Sequence, residues 1–252
     1  MKKIAVSLGL ISLCLSCTSH ADTLLGLYVG AQGWNMETAG GFSEDGTNTE
    51  FNFEDQSQSN LYVAFEHPLP LVPNIKIQKT EMDTSGDVFL ERDFTFGSQL
   101  FSINSEATSD IQLSTTDIIL YYELFDNELI SFDVGLNAKY IDGELLVTDK
   151  NDPTVNGQQE FSGPIPMLYS RLAVGIPLTG LGAFVEGSFL SIDEHTLSDY
   201  QAAITYSLLD NIAIDVTFQL GYRVLSLELQ DLDNIFSELE FKGAYAGLEV
   251  HF

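Results

Sequence analysis

The sequence predicts an all-β protein that forms a single antiparallel transmembrane β-barrel of about ten strands, with eight also possible. Three observations lead to this prediction. Apolar and polar residues alternate with a period of two over segments longer than the strands of a β-sandwich. The connections between these segments alternate in length, as they do in membrane barrels. No apolar run after residue 21 is long enough for a membrane helix.

The alternation is clearest in "LISFDVGLNAKY" (129–140) and "NIAIDVTFQLGYRV" (211–224). A strand buried in a parallel sheet would be apolar on both faces, and an amphipathic helix would repeat every 3.6 residues. Neither pattern is present, so these segments are predicted to be antiparallel strands. The predicted strands are 23–35, 58–68, 74–84, 110–124, 129–146, 160–176, 182–194, 197–208, 211–228 and 238–252.

The connections predict two different ends for the barrel. The first, third, fifth and ninth are long and polar, and the even-numbered ones are tight turns. The seventh is also short, although it belongs to the long side. Short periplasmic turns and longer acidic extracellular loops are therefore expected. Aromatic residues on the faces predicted to point outward form two belts, which suit the two membrane interfaces. The belts are Phe65, Tyr122, Phe132 and Tyr206 near the short turns, and Tyr140, Phe189, Tyr200 and Tyr222 toward the long loops.

Residues 1–21 have a basic start, a short apolar stretch and small residues at the end, which is the pattern of a secretory signal peptide. The barrel is then expected to be a single domain, 22–252. Cys17 leaves a lipoprotein as an alternative, although Cys14 stands where a lipoprotein signal has an aliphatic residue. Both cysteines lie in this segment, so 22–252 has no disulfide or thiol chemistry available.

The chain has 37 acidic and 10 basic residues and a net charge of −27. Nucleic acid is bound through lysine and arginine, so it is not an expected partner. Acidic connections suit Ca²⁺ or Mg²⁺, but none has the spaced ligand pattern of a defined site, so no metal ligands and no cofactor are predicted. The residues concerned are Glu37, Glu44, Asp45, Glu50, Glu54, Asp55, Asp149, Asp152, Asp231 and Asp233.

Charged residues also fall on the faces predicted to point into the barrel. They are Glu66, Asp117, Glu123, Asp133, Lys139, Arg171, Glu186, Asp215, Arg223 and Glu249. Buried charges are tolerated when paired, so Lys139, Arg171 and Arg223 are expected to bridge to these acids. A ten-stranded barrel is narrow, and such a network would plug its lumen. A narrow channel for small solutes or cations is the alternative.

The segment 91–103, "ERDFTFGSQLFSI", alternates within the third connection. Phe94, Phe96, Leu100 and Phe101 make it too apolar for a bare loop. It is predicted to form a hairpin that projects above the membrane or folds over the barrel mouth, while a partner-binding patch is the alternative.

The whole chain resembles the small outer-membrane β-barrel families of Gram-negative bacteria, in the size range of OmpW-type proteins. The resemblance lies in residues 1–21, 22–34 ("DTLLGLYVGAQGW"), 114–124 ("STTDIILYYEL") and the ending 244–252 ("AYAGLEVHF"). It implies an integral outer-membrane protein, exported by a Sec-type route, whose terminal Phe252 is read by the barrel assembly machinery. A monomer that contacts lipid and lipopolysaccharide is expected, with divalent cations possible at the acidic loops.

The family that it most resembles has no defined function and brings no active-site residues, so a structural or interaction role is expected. No catalytic residues are predicted. One enzymatic alternative rests on Asp193, Glu194 and His195 at the predicted outer rim, because a rim Asp–His pair is similar to that of omptin-type proteases. The second acidic pair of that family cannot be assigned here. His67 and His251 are expected to be ordinary turn and surface residues.

Overall fold

A computed structural model describes residues 25–44, 46, 48–127, 129–192, 195–211, 213–232 and 235–252. The predicted signal segment 1–21 lies outside them. In the described part of the chain, no helix is long and apolar enough to cross a bilayer. The strands are β1 (Gly26–Ser43), β2 (Thr49–Glu50), β3 (Asn52–Phe53), β4 (Gln56–Glu66), β5 (Asn74–Glu81), β6 (Thr84–Phe89), β7 (Phe94–Phe96), β8 (Gln99–Phe101), β9 (Glu106–Asp126), β10 (Ile130–Asp149), β11 (Asn156–Ile176), β12 (Leu181–Ile192), β13 (His195–Asp210), β14 (Asp215–Leu232) and β15 (Ile235–His251).

The strands close into a ten-stranded antiparallel barrel, as predicted. The order around the ring is β1, β4, β5, β9 and then β10 to β15, after which β15 pairs with β1. β6 continues the position of β5, because both pair with β9. The predicted pairing of the last strand with the first is confirmed, and the Phe252 amide donates to the Leu27 carbonyl at 3.0 Å. A closed ring leaves no strand edge along the seam.

The pairing is staggered around the ring. Register partners followed from Leu27 once around the barrel lead back to β1 at Ala39, which is 12 residues further along the same strand. Such a stagger requires the strands to tilt against the barrel axis, typically by about 35–45°.

The two ends of the barrel differ. The turn end carries the short connections 67–73, 127–129, 177–180 and 211–214, and the loop end carries the others. In the half of the wall next to the turn end, apolar side chains point outward and polar ones inward. All eight aromatic residues predicted to point outward are exposed there: Phe65, Tyr122, Phe132, Tyr140, Phe189, Tyr200, Tyr206 and Tyr222. An exposed apolar band of this kind suits contact with lipid tails.

In the loop-end half the polarity of the wall is reversed. Acidic side chains such as Glu37, Asp110, Asp142, Glu228 and Glu238 are exposed on the outside. The inside is a continuous hydrophobic core that includes Trp34, Phe42, Phe51, Met82, Ile111, Leu145, Val147, Leu225, Leu227 and Phe241. This half is therefore built like a water-soluble barrel that extends the membrane-type half.

This reversal explains where the prediction of long connections was wrong. β10 and β11 continue to Asp149 and Asn156, which leaves only 150–155 between them, and β14 and β15 are separated only by 233–234. In the predicted fifth connection, Val147 lies in the hydrophobic core, whereas Gln158 on the paired strand is exposed. Polar residues that indicated a loop are thus part of the outer face of longer strands.

The third connection folds into the barrel mouth, which confirms the second form of the hairpin prediction. β7 and β8 pair with each other, with Phe94 opposite Phe101. Phe94, Phe96 and Phe101 are buried in the hydrophobic core, and the ring centroids of Phe96 and Phe42 are 4.8 Å apart. Leu100, which was grouped with them, is exposed instead.

Candidate functional site

An ionic lattice crosses the lumen at mid-height. The Lys139 side chain is 0% exposed, and its Nζ donates to Oδ2 of Asp117 and Oδ2 of Asp199, both at 2.9 Å. Arg223 binds the same Asp199 with two parallel hydrogen bonds of 2.8 and 2.7 Å. Asn137 donates to Asp117 Oδ1 at 2.6 Å. Paired and hydrogen-bonded in this way, the charges avoid most of the free-energy penalty of burial.

A second polar layer lies next to the lattice, nearer the turn end. Glu186 accepts a hydrogen bond of 2.6 Å from Lys76 Nζ and one of 3.1 Å from Gln201. Arg171 Nε lies 3.5 Å from the other Glu186 oxygen, and Arg171 Nη1 lies 3.8 Å from Asp133 Oδ2. Since β11 pairs Arg171 directly with Glu186 on β12, the strand register itself places this ion pair.

The prediction that Lys139, Arg171 and Arg223 bridge to acids in the lumen is confirmed. Two members of these layers, Lys76 and Asp199, were missed. The period-two pattern contained both, because Asn74, Lys76, Gln78 and Thr80 alternate with apolar Ile75 and Ile77, and Asp199 shares a face with Gln201. Of the predicted inward acids, Asp215 lies at the turn-end rim, 3.4 Å from Nδ1 of His251.

The hydrophobic core closes the lumen on the loop-end side of the lattice. Trp34 joins the two, since its ring lies 5.2 Å from the Arg223 guanidinium while its Nε1 donates to the Gly243 carbonyl at 3.2 Å. An arginine over an indole face is a favourable cation–π contact. The lumen is thus filled first by charges and then by aromatic rings.

The hairpin is held over this core by a few polar contacts. Glu44 Oε1 accepts hydrogen bonds from the Gly97 amide at 2.8 Å and from Gln159 Nε2 at 3.0 Å. The backbone of β11 comes so close that a Cβ on Gly157 would lie 2.0 Å from the Phe96 carbonyl oxygen. Gly97 itself has a φ of 58°, which glycine adopts without strain.

A cavity of about 400 Å³ lies between the second polar layer and the turn end. Its acids include Glu66, which accepts a hydrogen bond of 2.7 Å from the Tyr121 hydroxyl. Glu249 accepts one of 2.6 Å from the Tyr62 hydroxyl. The titratable side chains of its lining are Tyr28, Tyr62, Tyr121, Tyr169, Glu66, Glu123, Asp126, Asp133, Glu186, Glu249, Lys76 and Arg171.

Several acids that were considered as cation ligands instead organise the loop end. Asp149 accepts hydrogen bonds from the amides of Asn151 and Asp152, and Asp152 accepts from the amide and hydroxyl of Thr154. These contacts cap the turn between β10 and β11. Among the described residues, no group of three or more His, Cys, Asp or Glu side chains is arranged to hold a metal ion.

The histidines occupy structural positions where the structure describes them. His67 Nδ1 accepts a hydrogen bond from the Leu69 amide in the turn between β4 and β5. The His251 ring stacks on Tyr28 with centroids 4.1 Å apart. His195 begins β13. Asp193, Glu194, Asp45 and Asp233 lie outside the described residues, so the omptin-like alternative stays a prediction.

Comparison with known proteins yields similar structures only. No family model matches the chain, and no curated protein matches it. Among solved structures, the transport unit of the autotransporter AIDA-I from Escherichia coli has 9% identity and a TM-score of 0.45, over 94% of this chain and 93% of that one. Ail, the attachment invasion locus protein of Yersinia pestis, has 11% identity and a TM-score of 0.34, over 90% and 99%. A deletion mutant of the monoaromatic hydrocarbon channel TodX has 7% identity and a TM-score of 0.37, over 92% and 91%. At these values the likenesses assign neither a family nor a function.

Proposed function

We propose that this chain is an integral outer-membrane β-barrel protein with a sealed lumen, and that it has a structural or interaction role at its loop end. The closed barrel and its apolar outer band support insertion in a bilayer. The short turns, the start of β1 and the end of β15 then face the periplasm, and the loop end faces the outside of the cell. Export would depend on the signal segment 1–21.

The observation that carries the proposal is the filling of the lumen at two levels. Lys139 and Arg223 occupy the mid-height lattice with exposures of 0% and 2%. Phe42, Phe96 and Phe101, each 0% exposed, occupy the loop-end core. A solute that entered from the cavity would have to displace both a bonded charge network and a packed aromatic core. Neither arrangement resembles the open aqueous lumen of a porin.

The outer surface of the loop-end half is where an interaction would take place. It is built from long strands, and it is acidic, with Glu37, Asp110, Asp142 and Glu228 exposed. Such a surface attracts basic partners and divalent cations. Cations that bridge these carboxylates to lipopolysaccharide phosphates are part of this proposal.

Conductance in planar lipid bilayers tests the sealed lumen. The unmodified protein is expected to give no current steps. A variant that lacks the hairpin 94–101 and also carries Arg223→Ala is expected to conduct, which shows that the assay detects an opened lumen. Steady steps from the unmodified protein that change in size in Arg223→Ala would refute the sealed lumen and favour the narrow channel.

Surface labelling tests the orientation. A single cysteine introduced at Asp142 should react with a membrane-impermeant maleimide on intact cells, and one introduced at Leu178, in a turn-end connection, should react only after the outer membrane is opened. The opposite pattern would invert the proposed topology. Labelling of neither position on intact cells would argue against the outer membrane.

A further inference from the structure

The turn-end cavity has the properties of a binding site that the proposed surface role does not use. It lies at the opposite end of the barrel from the acidic outer surface, and Lys76, Arg171 and Glu186 of the second polar layer form part of its lining. A volume of about 400 Å³ falls within the usual range of small-molecule sites. We propose that this cavity binds a small organic cation that carries ammonium groups, such as a diamine or polyamine, from the turn end.

The charge of the lining is the first argument. Among the described residues, six acidic side chains and two basic ones border the cavity. Both basic groups already form ion pairs with Glu186, since Lys76 Nζ lies 2.6 Å from one of its oxygens and Arg171 Nε lies 3.5 Å from the other. The remaining acids are left with a surplus of negative charge in a partly enclosed space, where the attraction for a cation is stronger than in open water.

An incompletely paired carboxylate on the cavity lining is the second and independent argument. Asp133 borders the cavity and is 3% exposed. Within the described residues its Oδ1 accepts no hydrogen bond, and Arg171 Nη1 lies 3.8 Å from its Oδ2, beyond hydrogen-bond distance. A buried carboxylate with too few donors is costly, and an ammonium group in the cavity would supply a donor to Asp133.

Four tyrosine rings complete the site. Tyr28, Tyr62, Tyr121 and Tyr169 line the cavity. The protein's own Lys76 already places its ammonium 4.6 Å from the centre of the Tyr62 ring. Rings that accept one ammonium group in this way suit a second one from a ligand. The carboxylates would hold the charge, and the rings would contact the aliphatic part of the molecule.

The geometry favours an organic cation over a bare metal ion. Within the described residues, no three acidic or histidine side chains converge at metal-ligand spacing. Glu66 and Glu249 each accept a hydrogen bond from a tyrosine hydroxyl, which occupies one oxygen of each carboxylate. A flexible ligand with separated ammonium groups can reach acceptors that are too far apart for one ion.

Isothermal titration calorimetry of the detergent-solubilised full barrel with spermidine, at low ionic strength, tests the proposal. One saturable site is expected. Asp133→Asn should weaken binding by roughly tenfold or more, because it removes a charge-assisted contact. Asp210→Asn, the same substitution at an exposed turn-end residue that does not border the cavity, should leave the affinity unchanged. The shift of gel mobility on heating verifies that each variant is folded.

Three results would overturn the proposal: no saturable binding of spermidine, an equal loss in both aspartate variants, or tighter binding of Mg²⁺ alone at the same site. Glu123→Gln provides a second variant in case Asp133→Asn does not fold, and it should also weaken binding. This titration does not depend on whether the lumen conducts, so failure of the sealed-lumen proposal and failure of the binding site are distinguishable.

Discussion

Replacing Lys139 by methionine is expected to destabilise the barrel strongly, because the substitution removes the centre of the ionic lattice. The Lys139 ammonium is fully buried and bonds two carboxylates at 2.9 Å. Without it Asp199 keeps Arg223, but among the described residues Asp117 keeps only the side-chain hydrogen bond from Asn137. Removing one partner of a buried ion pair typically costs about 3–5 kcal/mol, since the other charge stays buried.

The assay is equilibrium unfolding in urea, followed by tryptophan fluorescence in lipid vesicles or detergent. With a denaturant slope of about 3 kcal/mol per molar urea, the expected cost lowers the unfolding midpoint by about 1–1.7 M. Lys150→Met is the control, because Lys150 forms an exposed pair with Asp87, whose loss should lower the midpoint far less than the loss of Lys139. Adding Asp117→Asn to Lys139→Met should restore a large part of the lost stability.

A midpoint that moves no more in Lys139→Met than in Lys150→Met would refute the reasoning. It would mean that water reaches the lattice and solvates the abandoned carboxylate. A double variant that is less stable than Lys139→Met alone would refute the assignment of the cost to the unpaired Asp117.

Three further predictions concern the loop-end half. Gly157→Val should push the hairpin off β11, because its Cβ has no room beside the Phe96 carbonyl, and faster trypsin cleavage within 91–103 of the folded barrel would show this. Hydrogen bonds from Lys150 and Thr108 lower the pKa of Asp87. The stabilisation that these two hydrogen bonds contribute is therefore present above the ordinary pKa of an aspartate, and it is lost as the pH falls through the lowered pKa of Asp87. A carbon-13 NMR titration should show this lowered pKa, and the pKa should rise in Lys150→Met. Trp34, the single tryptophan and 2% exposed, should resist quenching by iodide until the barrel unfolds.

The closed barrel could be predicted because the period-two pattern carries most of the information in such a fold. The outward aromatic belts followed from the same alternation, as did the inward positions of Lys139, Arg171 and Arg223. Each of these predictions needs only the face of the strand on which a residue falls, which alternates from one residue to the next, and the rule that charges avoid lipid.

What could not be predicted depends on contacts between strands that are distant in sequence. The lattice joins Asp117, Lys139, Asp199 and Arg223 from four strands. The alternation along a strand shows which residues point inward, but it does not show which of them lie at the same height in the barrel. Lys76 was overlooked although the alternation places it on the inward face. The long strands at the loop end were interpreted as loops, because polar residues outnumber apolar ones there and the inward apolar positions were not weighed separately.

The reversal of polarity along the wall has a consequence for how the strand register is specified. A slip of one residue between neighbouring long strands exchanges the inner and outer faces along their whole length. In the turn-end half, that exchange would place Lys139 or Arg171 against lipid. In the loop-end half, the same exchange would place aromatic residues such as Phe241 in water and acids in the core. The turn-end half and the loop-end half have opposite polarity, yet both disfavour the same one-residue slip. The register of each long strand is therefore specified at both of its ends, by contact with lipid at one end and with water at the other.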